Sequence, residues 1–311
     1  MASLARKLKD QGKKNLRRVF EVGQRLGVDI LPRHFYSEIP DIRGLKADDR
    51  WKGPRAMVDV RGADAAGQLA FVAECCPEAI LERLGRGGIF DHACEANGAA
   101  GFGAVEADFL YAFVRSKRPA RVVQVGCGVS TAVILLAAAE GGFPVRVTCV
   151  DPYPSPYLRD ADRRGLVELV PERAQDIPTE ILTELGDGGM LFVDSSHVVG
   201  PGTEVNRIIL DVLPRLSRGA WVHFHDIFFP FDYQRGLLDD ELFFSNESAL
   251  LHAFLIGNRR YAIRASLSLL HYADREALAR SLPNYRPGRD DHGLRASEGH
   301  FPASTYLQVV E

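Results

Sequence analysis

Two short polar clusters contain the residue types that bind cations and move protons. Asp194 and His197 belong to one cluster, directly after an apolar run that ends at residue 193, and His225 and Asp226 directly follow a run that ends at residue 224. Carboxylates together with imidazoles can hold a divalent cation, and histidine favours Zn, Mn or Fe. A bound cation acidifies a coordinated hydroxyl, whose proton a neutral histidine can remove.

These polar residues also have a structural interpretation, in which the aspartates cap loops and the histidines satisfy backbone groups. We favour that role for His223, which lies inside the second apolar run. We favour a functional role for Asp194, His197 and Asp226, because the ends of neighbouring strands are where open α/β sheets place ligands.

A second candidate site lies where the apolar run 122–125 leads into Gly126 and Gly128. Glycine lets the chain turn sharply and lets a ligand approach the backbone. Asp151 closes the next β-rich run, at a distance suited to accepting hydrogen bonds from a ribose. The third glycine of a dinucleotide fingerprint is replaced by Thr131, which argues against NAD and for a nucleoside ligand without a diphosphate. The alternative is a glycine turn that serves the fold alone.

The elements that must position these residues follow a repeating strand and helix pattern. This pattern favours an α/β fold, Rossmann-like and doubly wound, with a mainly parallel sheet. Two late runs predict an antiparallel edge strand. The predicted strands are 122–125, 145–150, 167–170, 190–193, 221–224, 260–264 and 304–310.

Residues 1–100 precede this pattern, and we predict that they form a mostly helical extension before a domain spanning residues 101–311. Residues 1–26 are strongly basic, with a thin apolar face. A helix of this kind could lie on a membrane or nucleic acid, but we favour a solvated or subunit-packing helix.

Composition narrows the class of protein. Hydrophobic residues make up 46% and charged residues 25%, which are ordinary globular values. The net charge of −3 provides no overall attraction to nucleic acid or to an anionic membrane. The five cysteines lack zinc-site or disulfide-framework spacing, which favours the reducing cytoplasm. We therefore predict a cytoplasmic protein with no nucleic-acid partner and no stable membrane insertion.

Four motifs, at residues 124–131, 150–154, 192–197 and 222–227, together resemble the class I methyltransferases that use S-adenosylmethionine, and in particular the group containing the macrocin O-methyltransferases. The resemblance covers about residues 100–260. It implies that the Gly-x-Gly turn holds the methionine part of the cofactor and that the acid after the second strand holds its ribose. The cofactor-binding residues predicted in this way are Gln124, Gly126, Cys127, Gly128, Ser130, Thr131 and Asp151.

The same resemblance implies a magnesium ion or another divalent cation held by Asp194, His225 and Asp226, with His197 as the general base. Two positions depart from the family. His225 stands where the first member of an acidic pair is usual, so a carboxylate ligand is lost. Gln124 replaces an acid and cannot offset the positive charge of the cofactor.

The resulting hypothesis is O-methylation of a hydroxyl on a sugar or glycosylated small molecule by a homo-oligomeric enzyme. An alcohol fits a site with a metal and a base, because it needs help to ionise. Two alternatives remain open at this point. One is a metal-dependent hydroxylase or oxidoreductase on the same scaffold, and the other is a non-catalytic adaptor that uses the basic N-terminal helix.

Overall fold

The computed structural model describes residues 15–234, 236–238, 244–286 and 302–311. These residues form a seven-stranded sheet with the order β3-β2-β1-β4-β5-β7-β6. The strands are β1 (Arg121–Val125), β2 (Arg146–Val150), β3 (Glu168–Val170), β4 (Met190–Val193), β5 (Trp221–Phe224), β6 (Tyr261–Ser266) and β7 (Thr305–Val309).

Helices precede, connect and flank the strands. They are α1 (15–25), α2 (Ile42–Ala47), α3 (Ala65–Cys75), α4 (Glu78–Gly85), α5 (Ile89–Asn97), α6 (Ala104–Lys117), α7 (Val129–Gly141), α8 (Pro156–Arg163), α9 (Thr179–Thr183), α10 (Glu204–Arg207), α11 (Glu247–Leu255) and α12 (Leu267–Ser281). A π-helical turn (Ile208–Val212) and a 3-10 turn (Leu213–Arg215) continue from α10.

The predicted fold class is confirmed. Strands β3, β2, β1, β4 and β5 pair in parallel, whereas β7 is antiparallel to both β5 and β6. The antiparallel strand is therefore β7, and β6 lies outside it at the edge. Strands β4 and β5 are buried along their whole length, as expected for apolar strands covered by helices on both faces.

Helix α6 is the most completely buried helix segment beside the sheet. All ten residues from Val105 to Val114 are buried, and the helix packs against α7, α5 and α3. Two of these buried residues, Glu106 and Asp108, are acidic. Since buried carboxylates are rare without partners, both are expected to have polar neighbours.

The sheet order brings the candidate residues to one edge. Strand β1 lies between β2 and β4, and the parallel strands β1, β2, β4 and β5 all end at the same side of the sheet. This is the topological switch point, where open α/β sheets bind ligands. Gly126, Asp151, Asp194 and His225 directly follow these four strands.

The chain divides into two compact units, residues 1–51 and 52–311. Helices α3 to α5 belong to the second unit, in which α3 packs against α12 and β6. The domain boundary predicted near residue 100 stays a prediction. In the first unit, the basic residues Arg6, Lys7, Lys9, Lys13 and Lys14 lie outside the described residues. Among the described helices, none has the length and hydropathy needed to cross a bilayer.

Candidate functional site

The turn after β1 requires glycine at residue 126. Gly126 has φ +81°, and a Cβ placed there would lie 1.6 Å from the carbonyl oxygen of Asp194. The backbone N–H of Gly126 donates to Val150 in β2, and the N–H of Asp194 donates to Val125 in β1. The turn is therefore pressed against the end of β4, which leaves no room for a side chain.

A cavity of about 380 Å³ opens beside this turn. Its walls include Gly126, Asp151 and Asp194, which follow three neighbouring strands. The Asp151 carboxylate accepts hydrogen bonds from the backbone N–H groups of Cys127 at 3.3 Å and Tyr153 at 2.8 Å. These bonds fix the carboxylate and leave it acceptor capacity for ribose hydroxyls. The volume suits a nucleoside-sized ligand.

Other residues predicted to bind the cofactor lie behind the turn. Gln124, Ser130 and Thr131 are buried, and the Gln124 side-chain amide donates to Ser130 Oγ at 3.1 Å. Thr131 Oγ1 accepts the Gly128 N–H at 3.1 Å. These contacts hold the turn in shape, so Thr131 performs a structural task at the position where a dinucleotide fingerprint has glycine.

The predicted polar residues after β4 and β5 converge. His197 Nε2 lies 3.6 Å from Asp194 Oδ1 and 3.5 Å from Asp226 Oδ2. His225 Nδ1 lies 3.4 Å from Asp194 Oδ1 and 3.5 Å from Asp226 Oδ1. We call these four side chains the His/Asp cluster. Asp194 also lines the cavity, so the two candidate sites share a wall.

The other nitrogen of His197 is held by a residue that the sequence analysis missed. His197 Nδ1 and Glu247 Oε2 are 2.7 Å apart, and Glu247 is fully buried at the start of α11. The Ser245 hydroxyl also donates to the His197 carbonyl oxygen. Glu247 thus fixes the ring so that Nε2 faces Asp194 and Asp226. No local pattern marks Glu247, because its partner is 50 residues away in the chain.

The electrostatics of the cluster follow from burial and mutual charge. Burial alone would favour neutral forms, but the imidazoles of His225 and His197 hold the pKa of Asp194 well below its ordinary value. In the same way, the carboxylates of Asp194, Glu247 and Asp226 outweigh the burial of His197 and raise its pKa to about 10. His197 is therefore protonated at neutral pH in this arrangement.

A second unpredicted acid lies behind His225. Glu106 Oε1 in α6 is 3.8 Å from His225 Nε2 and accepts the Ala303 N–H at 2.5 Å. Burial raises the pKa of Glu106 to about 7, although the charge of His225 opposes this. A glutamate within the apolar run of α6 is a sequence pattern that could have pointed to this residue.

Two residues of the cluster have left-handed backbone conformations. His197 has φ +58° and Asp226 has φ +52°, a region that residues other than glycine adopt infrequently. Backbone strain of this kind concentrates at functional sites, where the surrounding structure holds a side chain in position. His223, in contrast, is buried within β5, where its Nε2 pairs with Ser304 Oγ at 2.9 Å and its ring stacks on Phe192. This agrees with the structural role predicted for it.

The region that contains both candidate sites matches a known protein family. Residues 123–227 match a family model described as a methyltransferase domain. No curated protein matches the sequence.

Several solved structures resemble the chain. A Podospora anserina methyltransferase, PaMTH1, bound to SAH, is 15% identical, with a TM-score of 0.40, over 76% of this chain and 89% of that one. A branched-chain polyamine synthase from Thermus thermophilus is 17% identical, with a TM-score of 0.38, over 91% of this chain and 73% of that one. The plantazolicin methyltransferase BamL is 14% identical, with a TM-score of 0.38, over 79% of this chain and 96% of that one. At these identities and TM-scores, the substrates of these proteins say nothing about the substrate of this chain.

Proposed function

We propose that this chain carries a class I, S-adenosylmethionine-dependent methyltransferase domain around the matched residues 123–227, and that it methylates a hydroxyl oxygen of a sugar or glycosylated small molecule. The observation that supports this most is the shared wall at Asp194. One face of that residue borders the cavity beside Gly126 and Asp151, and its carboxylate contacts His197 and His225. A cofactor in the cavity would therefore end next to acid and base groups.

The cavity supports the cofactor assignment. In this proposal, Asp151 accepts the ribose hydroxyls and the turn at residues 126–128 lies against the methionine part. The methyl group is transferred by in-line displacement, in which the protein mainly supplies proximity and alignment. The oxidoreductase alternative gives Asp151 no task, so the cavity favours methyl transfer.

The His/Asp cluster supports a hydroxyl acceptor. An alcohol must lose a proton as its oxygen attacks, whereas an amine or thiol is already a good nucleophile. We assign His197 Nε2 as the acceptor of that proton. Because Glu247 holds Nδ1, a neutral ring would keep its proton there and present Nε2 on the side of Asp194 and Asp226. The arrangement is that of a histidine base oriented by a buried carboxylate.

Three side chains of the cluster, Asp194, His197 and His225, each offer a ligand atom within 4.8 Å of the others, a spacing that could hold a metal ion. Two ligand atoms bound at about 2.1 Å to one cation lie roughly 3.0 to 3.5 Å apart, which is close to the separations of His225 Nδ1 from Asp194 and Asp226. We propose that Asp194, Asp226 and His225 hold this cation. When bound, it would supply positive charge that favours the ionised form of a nearby hydroxyl.

Neutralising the charge of Asp194 and Asp226 would also make His197 a better base. Their carboxylates are among the groups that raise its pKa to about 10. Where that charge is compensated, the pKa of His197 moves back toward its ordinary value near 6.5, and the ring can accept a proton at neutral pH.

Calorimetry with S-adenosylmethionine tests the proposed function. We expect the protein to bind the cofactor and Asp151→Ala to weaken binding at least about tenfold, because hydrogen bonds to a charged group are worth roughly 1.5–3 kcal/mol. The exposed Asp187→Ala is the control and should bind like the parent. Absence of heat with both the cofactor and its demethylated product would refute the assignment. Incubation of labelled cofactor with a panel of glycosides, amines and thiols then tests the acceptor class.

A further inference from the structure

The Nδ1 atom of His225 is buried and has no hydrogen-bond partner among the described residues. It faces Asp194 Oδ1 at 3.4 Å and Asp226 Oδ1 at 3.5 Å, distances longer than the usual 2.7–3.2 Å of a charge-assisted bond. Buried polar atoms are rarely left unpartnered, and each exception asks for an explanation. A cation bound between the three groups would give this nitrogen a partner.

The opposite side of the ring favours this interpretation. His225 Nε2 faces the Glu106 carboxylate at 3.8 Å, and the Phe102 ring lies beside the imidazole with centroids 5.0 Å apart. Histidines that bind metals commonly have a carboxylate behind the distal nitrogen, which also raises their basicity as ligands.

Resting on the proposed function, we infer that the cation of this site is a first-row transition ion, of the class Mn²⁺, Fe²⁺, Co²⁺ or Zn²⁺, bound through His225 Nδ1, Asp194 and Asp226 in preference to Mg²⁺. Imidazole nitrogen suits these ions, whereas Mg²⁺ prefers a shell made of oxygen. One nitrogen ligand in place of an oxygen therefore shifts the selectivity of the site.

The position of His197 is compatible with its separate role as base. The two imidazoles share Asp194 Oδ1 as a neighbour but face different oxygens of Asp226, with His225 beside Oδ1 and His197 beside Oδ2. His197 is also committed through Nδ1 to Glu247. A cation on the Oδ1 side of Asp226 is compatible with a hydroxyl that contacts His197 Nε2 on the Oδ2 side.

Metal titration of the chelator-treated protein tests the inference. We expect Co²⁺ alone to bind more tightly than Mg²⁺ alone. The dissociation constant for Mg²⁺ divided by that for Co²⁺ should fall at least about tenfold in His225→Asn. This substitution keeps a side chain of similar size but loses the nitrogen ligand. The exposed His92→Asn is the matched control and should keep the parent ratio. An unchanged ratio in His225→Asn, or equal affinity for both ions in the parent, overturns the inference.

Pulsed electron paramagnetic resonance of the Mn²⁺-loaded parent protein gives a readout independent of folding in the variants. We expect ¹⁴N coupling from one imidazole, lost in His225→Asn and kept in His92→Asn. Absence of nitrogen coupling in the parent contradicts the inference. Coupling that survives His225→Asn and disappears in His197→Asn also overturns it, since His197 would then be the ligand. Calorimetry with S-adenosylmethionine on the metal-free protein separates this outcome from failure of the proposed function.

Discussion

At the scale of single residues, Asp194 connects the two parts of the candidate active site. Its carboxylate lies between the imidazoles of His197 and His225, and the same residue borders the cavity. Its carbonyl oxygen also lies where a Cβ on Gly126 would be. One residue thus couples the shape of the glycine turn to the position of the acid and base groups.

The residue-scale prediction concerns Glu247 and His197. We expect His197→Ala to lower the methyl-transfer rate at least about 100-fold, a typical contribution of a general base. Glu247→Gln should lower it at least about tenfold, because the amide neither carries charge nor requires the proton to sit on Nδ1. The measurement is initial rate at saturating cofactor, together with the cofactor dissociation constant, which should change little in both variants.

The exposed Glu276→Gln in α12 is the control for the glutamate substitution. Undiminished methyl transfer by His197→Ala would remove the histidine from the proposed mechanism. A loss of cofactor binding equal to the loss of rate would instead show that Glu247 supports the cavity and not the base.

At the scale of elements, the junction of β1, its glycine turn and α7 determines whether a ligand can approach the backbone. The turn is fixed by Thr131 from within α7 and by the backbone of β2 and β4. Both the positive φ and the close approach of Asp194 require glycine at residue 126. The spacing between the ends of β1 and β4 therefore depends on glycine at residue 126.

We predict that Gly126→Ala lowers the melting temperature and abolishes binding of S-adenosylmethionine, because its Cβ would displace the end of β4. Gly142→Ala is the matched control. Gly142 also has positive φ, +62°, but nothing lies within 4 Å of the place that a Cβ would take there. Thermal denaturation and calorimetry on both variants separate conformational strain, which they share, from the clash. Equal losses in the two would contradict the role given to the β1 and β4 contact.

At the scale of the whole molecule, the buried Asp108 makes stability depend on pH. Burial raises its pKa to about 6, although the hydrogen bond from Asn284 at 2.8 Å opposes this. The folded state therefore binds the proton more tightly than the unfolded state, whose aspartate has a pKa near 3.9. This residue's contribution to stability is greatest below about pH 4 and decreases as the pH rises to about 6.

We expect Asp108→Asn to raise the free energy of unfolding at pH 7.5, by up to roughly 3 kcal/mol, and to change it much less at pH 4.5. The asparagine oxygen can still accept from Asn284, so the variant removes mainly the cost of burying charge. Denaturant unfolding at the two pH values measures this, with the exposed Asp187→Asn as control. A variant that is equally destabilised at both pH values would show that packing decides its stability.

The unit of residues 1–51 supports the proposed homo-oligomer. Among its described residues, 15–51, no hydrophobic side chain is buried, and Phe35 and Tyr36 are 86% and 74% exposed. Exposed apolar groups of this kind mark interaction sites. We expect Phe35→Ser with Tyr36→Ser to lower the molar mass measured by light scattering, whereas Val58→Ser, which is 72% exposed in the other unit, should not. A parent protein that is monomeric at all concentrations would contradict this.

The cytoplasmic location also stays a prediction.

The amino-acid sequence alone was sufficient to predict the strands of the sheet. Alternating apolar runs and helical patterns identified all seven strands, because strand formation follows from local side-chain periodicity and from helices covering both faces. The rule that parallel strands end at one edge then brought Gly126, Asp151, Asp194 and His225 to one site. These inferences need only the order of residues along the chain.

The tertiary structure alone decided which groups stand behind the candidate catalytic residues. Glu247 contacts His197 from a helix 50 residues further along the chain, and Glu106 reaches His225 from a helix that precedes the first strand. It also placed Gln124 and Thr131 behind the turn and not on the cavity wall. Such contacts depend on how helices pack across the sheet, and packing is set by the fit of many side chains that are distant from one another in the sequence.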